Sequence, residues 1–180
     1  MHRRNILEYL EGHAPSCFEE IETVRRFRQF VEETPTCFER THKAGHVTGS
    51  AFILSSDKKR VLLAHHAKLQ SWLQLGGHAD GCSDVLDVAH REAVEESGLS
   101  EILPCLTPQI PIDFDTHEIP ANKKDEAHLH FDVRFVFYSL EEKFICSNES
   151  LALKWVPLEQ VPHLTSEPSV LRVIRKIQLA

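Results

Sequence analysis

The sequence predicts an α+β fold, layered as α/β/α around a mixed sheet, and three observations carry that prediction. Segments in which apolar and polar residues alternate are interleaved with segments of helical period, but without the strict β-α alternation of a doubly wound sheet. There are no internal repeats, and no linker is long enough to divide the 180 residues into separately folding halves. Apolar residues make up 42% and charged residues 26%, ordinary usage for a packed chain and unlike disordered, collagenous or coiled-coil sequences. A chain of this length buries about 70% of its unfolded surface, enough for a real core.

In chain order, Ile6, Leu7 and Leu10 open a first helical face, which Pro15 interrupts. Ser16 and Glu19 have the spacing of a capping box for a second helix, whose stripe is Ile21, Val24, Phe27, Phe30 and Val31, and Pro35 closes it. Val47 to Leu54, the polar turn Ser55 to Lys59, and Val61 to Ala64 read as a β-hairpin. Trp72 to Leu75 is a short strand ending at Gly76-Gly77, and a long helix follows from about Asp84 to Ser97 with Gly98 placed to cap it. Ile110 to His117 and His128 to Tyr138 alternate as two strands joined by a loop rich in Pro, Asn, Lys and Asp, and Leu151 to Val156 is a further strand. Ser166-Glu167-Pro168 starts a last helix with Val170, Leu171, Ile174 and Ile177 on one face.

Charge and cysteine usage bound the partners and the compartment. The excess of 27 acids over 20 bases, a formal charge of -7, disfavours nucleic-acid polymers and anionic membrane surfaces. The five cysteines are scattered, with no C-x-x-C pair, which suits reduced thiols in a cytoplasm. No segment approaches the ~20 apolar residues of a membrane span, and the N-terminus lacks a signal-peptide pattern.

The most informative segment runs from Gly76 to Leu99. At 100° per residue, Glu92, Glu95 and Glu96 fall on one helical face near the helix's C-terminal end, where acids oppose the macrodipole and one another. From the triplet alone a solvated acidic face is the favoured reading, with a hard divalent cation held by carboxylate oxygens as the alternative that would compensate. The arrangement resembles the Nudix hydrolase signature, G-x5-E-x7-R-E-U-x-E-E-x-G-U with U a bulky aliphatic: Gly77, Arg91, Glu92, Glu95, Glu96, Gly98 and Leu99 agree at seven of nine specified positions. Trp72 shortly before the double glycine, and Trp155 and Pro157 before an apolar helix, also suit that family's layout. Ser83 stands where the signature has its first Glu, and Ala93 replaces a larger aliphatic residue. Asp87 or Asp84 is the expected substitute partner for Arg91, with Asp80 also within reach along the chain.

The resemblance implies a Nudix-type α/β/α sandwich over residues 46–180, preceded by an N-terminal helical extension over 1–45 that packs on it. The implied activity is hydrolysis of a phosphoanhydride in a nucleoside diphosphate linked to another moiety, with Mg2+ or Mn2+. Glu92, Glu95 and Glu96 are the expected metal ligands and catalytic carboxylates. Glu149, in a loop where several family members place a further acid, joins them, with Asp125 and Glu126 as rivals. Gly77, His78 and Trp72 are expected at the substrate. Two other functions remain open on this fold: a non-catalytic nucleotide sensor, and an isopentenyl diphosphate isomerase-like enzyme, for which neither Cys82 nor Cys105 has the sequence context of the catalytic cysteine. The N-terminal helices have three open roles, as a cover for the cleft, a homodimer interface or a completion of the core.

A second constellation is set by strand alternation. Asp113, Asp115 and His117 share one face of their strand, and His128, His130 and Asp132 share one face of the next, leaving Phe114, Leu129, Phe131 and Val133 for the core. A solvated sheet face is the favoured reading, with a substrate or second-metal wall as its rival.

Overall fold

A computed structural model describes residues 2–67, 69–121, 126–148 and 150–179. Two helices come first, α1 (Arg4–Gly12) and α2 (Phe18–Glu33), separated by the segment that holds Pro15. The expected capping box does not form. Cys17 occupies the N-cap without a side-chain bond, and Ser16 instead donates from both its backbone N and its Oγ to Glu20, each at 2.7 Å. Of the expected stripe, Phe27 and Val31 are fully buried and Val24 and Phe30 partly so, whereas Ile21 lies half exposed.

The sheet is built on two long strands, β1 (Gly45–Leu54) and β7 (His128–Ser139), which pair in parallel from Gly45↔Leu129 to Leu54↔Tyr138. The hairpin partner β2 (Arg60–His66) meets β1 only at Ile53 and Leu54 before diverging to pair with β8 (Ser150–Pro157) and with β3 (Trp72–Leu73). The rest of that edge of β1 is taken by β4 (Leu75–His78), from Thr48↔His78 to Ala51↔Leu75. The outer edge of β7 is divided in the same way, between β6 (Asp113–Ile119) and β5 (Ile102–Pro104). Strand β6 starts later than the expected Ile110, and β5 is a strand that periodicity did not indicate.

Alternation along β1 and β7 separates two cores. Val47, Ala51 and Ile53 join Phe131, Val133, Phe135 and Phe137 beneath α1, α2 and the helix α3 (Val85–Ser97). Gly49 lets α3 lie against β1, because a Cβ there would meet the Val85 carbonyl at 2.8 Å and the Ala89 nitrogen at 3.0 Å. The opposite core joins Phe52, Leu54 and Val136 to Val170, Val173 and Ile174 of the last helix, α5 (Pro168–Leu179), with a 3-10 turn at Leu158–Gln160 and the short α4 (Val161–Leu164) between. Ile6, Leu10, Phe27 and Val31 are inside the first core, so α1 and α2 complete it. Among the described residues, no helix is long and apolar enough to cross a membrane.

Candidate functional site

Helix α3 is fixed at both ends by its own sequence. Asp84 caps the N-terminus, its carboxylate accepting from the backbone N–H groups of Leu86 and Asp87 at 3.2 Å each. Gly98 ends the helix in the left-handed region, φ 66°, and its N–H donates to the Val94 carbonyl at 2.8 Å. Between them the acidic face reaches the double glycine of β4. The Gly76 N–H donates to Glu96 Oε1 at 2.8 Å, and the Glu92 carboxylate lies so close to Gly77 that a Cβ there would stand 2.5 Å from Oε2. Glu96 is 9% exposed and Glu92 also largely covered, whereas Glu95 is exposed.

Arg91 organises this face, though not through the expected acids. Its Nη2 donates to Glu92 Oε1 at 2.8 Å and to the His78 carbonyl at 2.9 Å, and its Nε is 3.9 Å from Glu95 Oε1. Asp84 is committed to the helix cap, and among the described residues the ion pairs of Arg91 are to Glu92 and Glu95 rather than to Asp87 or Asp80, so no Asp substitutes for the missing first Glu at Ser83; Arg91 is placed by a backbone carbonyl and by Glu92 itself. The hydrogen bond to Glu92 raises the guanidinium's pKa further. The three glutamates are not drawn together to mutual ligand distance: among the described residues, the group of three that does meet that condition is His46, His78 and His130. Glu149 and Asp125 lie outside the described residues. Glu126 is exposed, 4.0 Å from Lys43.

The remaining expected residues are spread around this centre. Gly77 touches Glu92, and His78 contributes its carbonyl to Arg91 and its ring to the histidine group. Trp72 is half-buried on β3, stacked on His65 with centroids 5.2 Å apart, and packs against the second core. His90 is half-buried, its ring edge-on to Phe137 at 5.8 Å.

The β6–β7 polar face is not solvated at its Asp113–Asp115 end. Phe114, Phe131 and Val133 are buried and Leu129 partly so, as alternation requires, but these two carboxylates are also covered, by Arg172 and Lys176 of α5. Arg172 of α5 forms a bidentate pair with Asp113 at 2.9 and 2.7 Å and reaches Asp115 at 3.1 Å; Lys176 joins Asp113 at 2.8 Å and also binds the buried Glu20. Arg134, 2% exposed, binds Asp132 at 2.8 Å and Asp115 at 3.1 Å, and Asp132 accepts from Thr48 and Ser50 of β1 at 2.9 and 2.8 Å. Burial alone would raise the Asp115 pKa, but Arg134, His117 and Arg172 outweigh it and hold the carboxyl well below its ordinary range. For Glu20, too, burial is outweighed, by hydrogen bonds from His13, Lys176 and Ser16. These are buried ion pairs, so removing one member would strand the others.

Beyond Asp132 the same face becomes a histidine cluster. His46 and His130 are register partners across β1 and β7, and His117 is the partner of His130 across β6. Burial first, and neighbouring imidazoles second, push His46 down to about 4 and His130 lower still. His46 escaped notice in the sequence because it stands alone after Gly45; only the parallel β1–β7 register reveals its company.

Comparison with known proteins agrees with this geometry. The NUDIX domain family profile matches residues 45–177. Among solved structures, a NUDIX family hydrolase from Clostridium perfringens superposes with a TM-score of 0.57 at 24% identity, covering 74% of this chain and 97% of its own. The E. coli dihydroneopterin triphosphate pyrophosphohydrolase does so with a TM-score of 0.57 at 20% identity, over 74% of this chain and 96% of its own. The NUDIX domain of Shewanella oneidensis NrtR, complexed with ADP ribose, gives 0.53 at 18% identity, over 84% and 96%. No curated protein sequence matches significantly. With the family profile spanning most of the chain, and the box helix set against the double glycine, the chain belongs to the Nudix hydrolase superfamily.

Proposed function

We propose that the protein hydrolyses a phosphoanhydride bond in a nucleoside diphosphate linked to another moiety, assisted by Mg2+ or Mn2+. The observation that carries the reading is the delivery of two carboxylates to the double glycine of β4, Glu92 against Gly77 and Glu96 on the Gly76 N–H. The donor set is all oxygen, and glycine leaves no Cβ between Glu92 and the strand, so these residues fit a hard divalent cation. Glu92, Glu95 and Glu96 would hold it. When bound, such an ion neutralises charge on the diphosphate and lowers the pKa of an attacking water.

The chain's own residues have separable roles. Arg91 orients Glu92 from one side while its other bond anchors it to β4, so the carboxylate is placed before substrate arrives. Glu95, exposed and loosely tied, is the acid best able to swing toward a water and accept its proton. Glu149 is proposed as a further catalytic carboxylate, and Gly77, His78 and Trp72 as substrate contacts, Trp72 by stacking a base. The pyrophosphohydrolase and the ADP-ribose-binding domain among the structural neighbours support a small nucleotide-type diphosphate as substrate. The isomerase reading loses ground at Cys105, whose thiol pKa burial pushes up rather than down.

The test is a panel of nucleotide sugars, dinucleotides, ADP-ribose and nucleoside triphosphates assayed with Mg2+ or Mn2+. Turnover of at least one member, reduced by two orders of magnitude or more in Glu92→Gln, is the expected result. Tight binding of a member without turnover would establish the sensor reading instead.

A further inference from the structure

The structure assigns a second, chemically distinct metal site: we propose that His46, His78 and His130 bind one borderline transition-metal ion of the zinc class, with His128 as fourth ligand, at the end of the sheet beyond Asp132.

Three strands converge there. His46 comes from β1, His130 from β7 and His78 from β4, and their ring centroids form a nearly equilateral triangle with sides of 4.8, 5.0 and 5.0 Å. One ring nitrogen from each lies within 4.8 Å of the others. Tetrahedral coordination with Zn–N bonds of 2.0–2.1 Å sets the nitrogens about 3.3 Å apart, so small ring rotations close the site. His128 Nε2 is already 3.3 Å from His130 Nε2.

The independent sign of a missing ligand is His46. It is 2% exposed, and both its ring nitrogens are buried without any hydrogen-bond partner. A neutral imidazole carries one donor and one acceptor, and leaving both stranded in the interior forfeits their hydration without replacement. A metal ion would satisfy the lone pair that nothing in the chain reaches.

The surroundings are those of a metal site as well. His128 Nδ1 is 2.8 Å from the Glu126 carbonyl, which fixes the tautomer so that Nε2 presents its lone pair to the cluster. His117, the register partner of His130, has its Nδ1 3.1 Å from Asp115, an outer carboxylate–imidazole pair beside the cluster. Four imidazoles without a carboxylate or thiolate among them select zinc, cobalt, nickel or copper over magnesium and calcium. The site is therefore not a second copy of the carboxylate centre, and it stands whether or not the hydrolase reading holds. It would clamp β1, β4 and β7 together at the point where the His78 carbonyl holds Arg91.

The experiment uses full-length chain without a histidine tag. Metal content is measured by mass spectrometry after purification without chelator, and chelator-stripped protein is then titrated with Co2+. Expected are one equivalent of bound transition metal and, with Co2+, the intense visible absorption of a tetrahedral nitrogen site, displaced by Zn2+ but not by excess Mg2+. His46→Gln and His130→Gln should each weaken the Co2+ binding that gives this absorption by more than the 10–100-fold typical of losing an outer-shell partner, while Glu92→Gln leaves the absorption unchanged. Because His46 is buried, the wild-type titration is decisive without the variants. Absence of tetrahedral Co2+ absorption in the wild-type protein overturns the assignment, as does absorption that survives in both folded histidine variants or is lost in Glu92→Gln.

Discussion

Replacing Gly77 with alanine separates the positioning of Glu92 from its chemistry. The added Cβ would stand 2.5 Å from both Cδ and Oε2 of Glu92, whereas ordinary contact begins near 3.4 Å, so the carboxylate must retreat by about 0.9 Å. What gives way is the end of a side chain rather than backbone, so stability should fall by less than about 1 kcal/mol. Function should suffer far more. Glu92 is braced by Arg91, which is itself tied to the His78 carbonyl, and a displacement near 1 Å of a reacting group can cost 10²-fold in rate. The assays are kcat on the substrate found by the panel, Mn2+ affinity by electron paramagnetic resonance, and thermal melting. A loss of kcat near 100-fold with weakened Mn2+ binding and a nearly unchanged Tm is expected. Full activity and full Mn2+ affinity in folded Gly77→Ala would refute the claim that Glu92 works at the double glycine.

Three further outcomes follow from the same contacts. Asp84→Ala should lower stability by about 1 kcal/mol through loss of the α3 cap and leave Mn2+ affinity unchanged, as checked by denaturant melts alongside metal titration. Arg134→Met should cost roughly 3–5 kcal/mol, because it leaves Asp115 and Asp132 buried with a partner removed; urea unfolding measures it, and a change under 1 kcal/mol would contradict the reading. Stability of the metal-stripped protein should fall with acidification in two stages. His46, whose pKa drops from 6.5 to about 4 on folding, stays neutral in the fold while the unfolded chain takes up a proton, so roughly 3 kcal/mol of stability is lost as pH falls from 6.5 toward 4. Glu20 and Asp115, also depressed on folding, lose their contributions as pH falls below 4.5 and 3.8, their unfolded values; a flat stability profile from pH 7 to 4 would contradict this assignment.

What the sequence revealed is what depends on neighbours along the chain. The face shared by Glu92, Glu95 and Glu96, the cap at Gly98 and the β1–β2 hairpin all follow from short spacings, and all are present. The misreadings have long-range causes. Ser16 turned to Glu20 rather than Glu19 because Glu20 is buried, where Lys176 of the last helix also claims it. The face bearing Asp113 and Asp115 looked solvated because nothing nearby in sequence announces that Arg172 and Lys176 cover it. The histidine cluster needed the parallel register of β1 on β7, which no local pattern encodes. Even at Arg91 the local rule of an acid four residues earlier failed, because a strand carbonyl and the adjacent Glu92 were better placed.

The most direct test of the central claim is hydrolysis of the panel in 18O-labelled water with Mg2+ or Mn2+, followed by mass analysis of the phosphate-bearing products. The account predicts that a nucleoside diphosphate-linked compound is cleaved, that label enters one phosphoryl product through phosphorus–oxygen cleavage, and that Glu92→Gln reduces the rate by at least two orders of magnitude. Wild-type protein that cleaves no member with either ion, or a Glu92→Gln variant as fast as wild type, would contradict it.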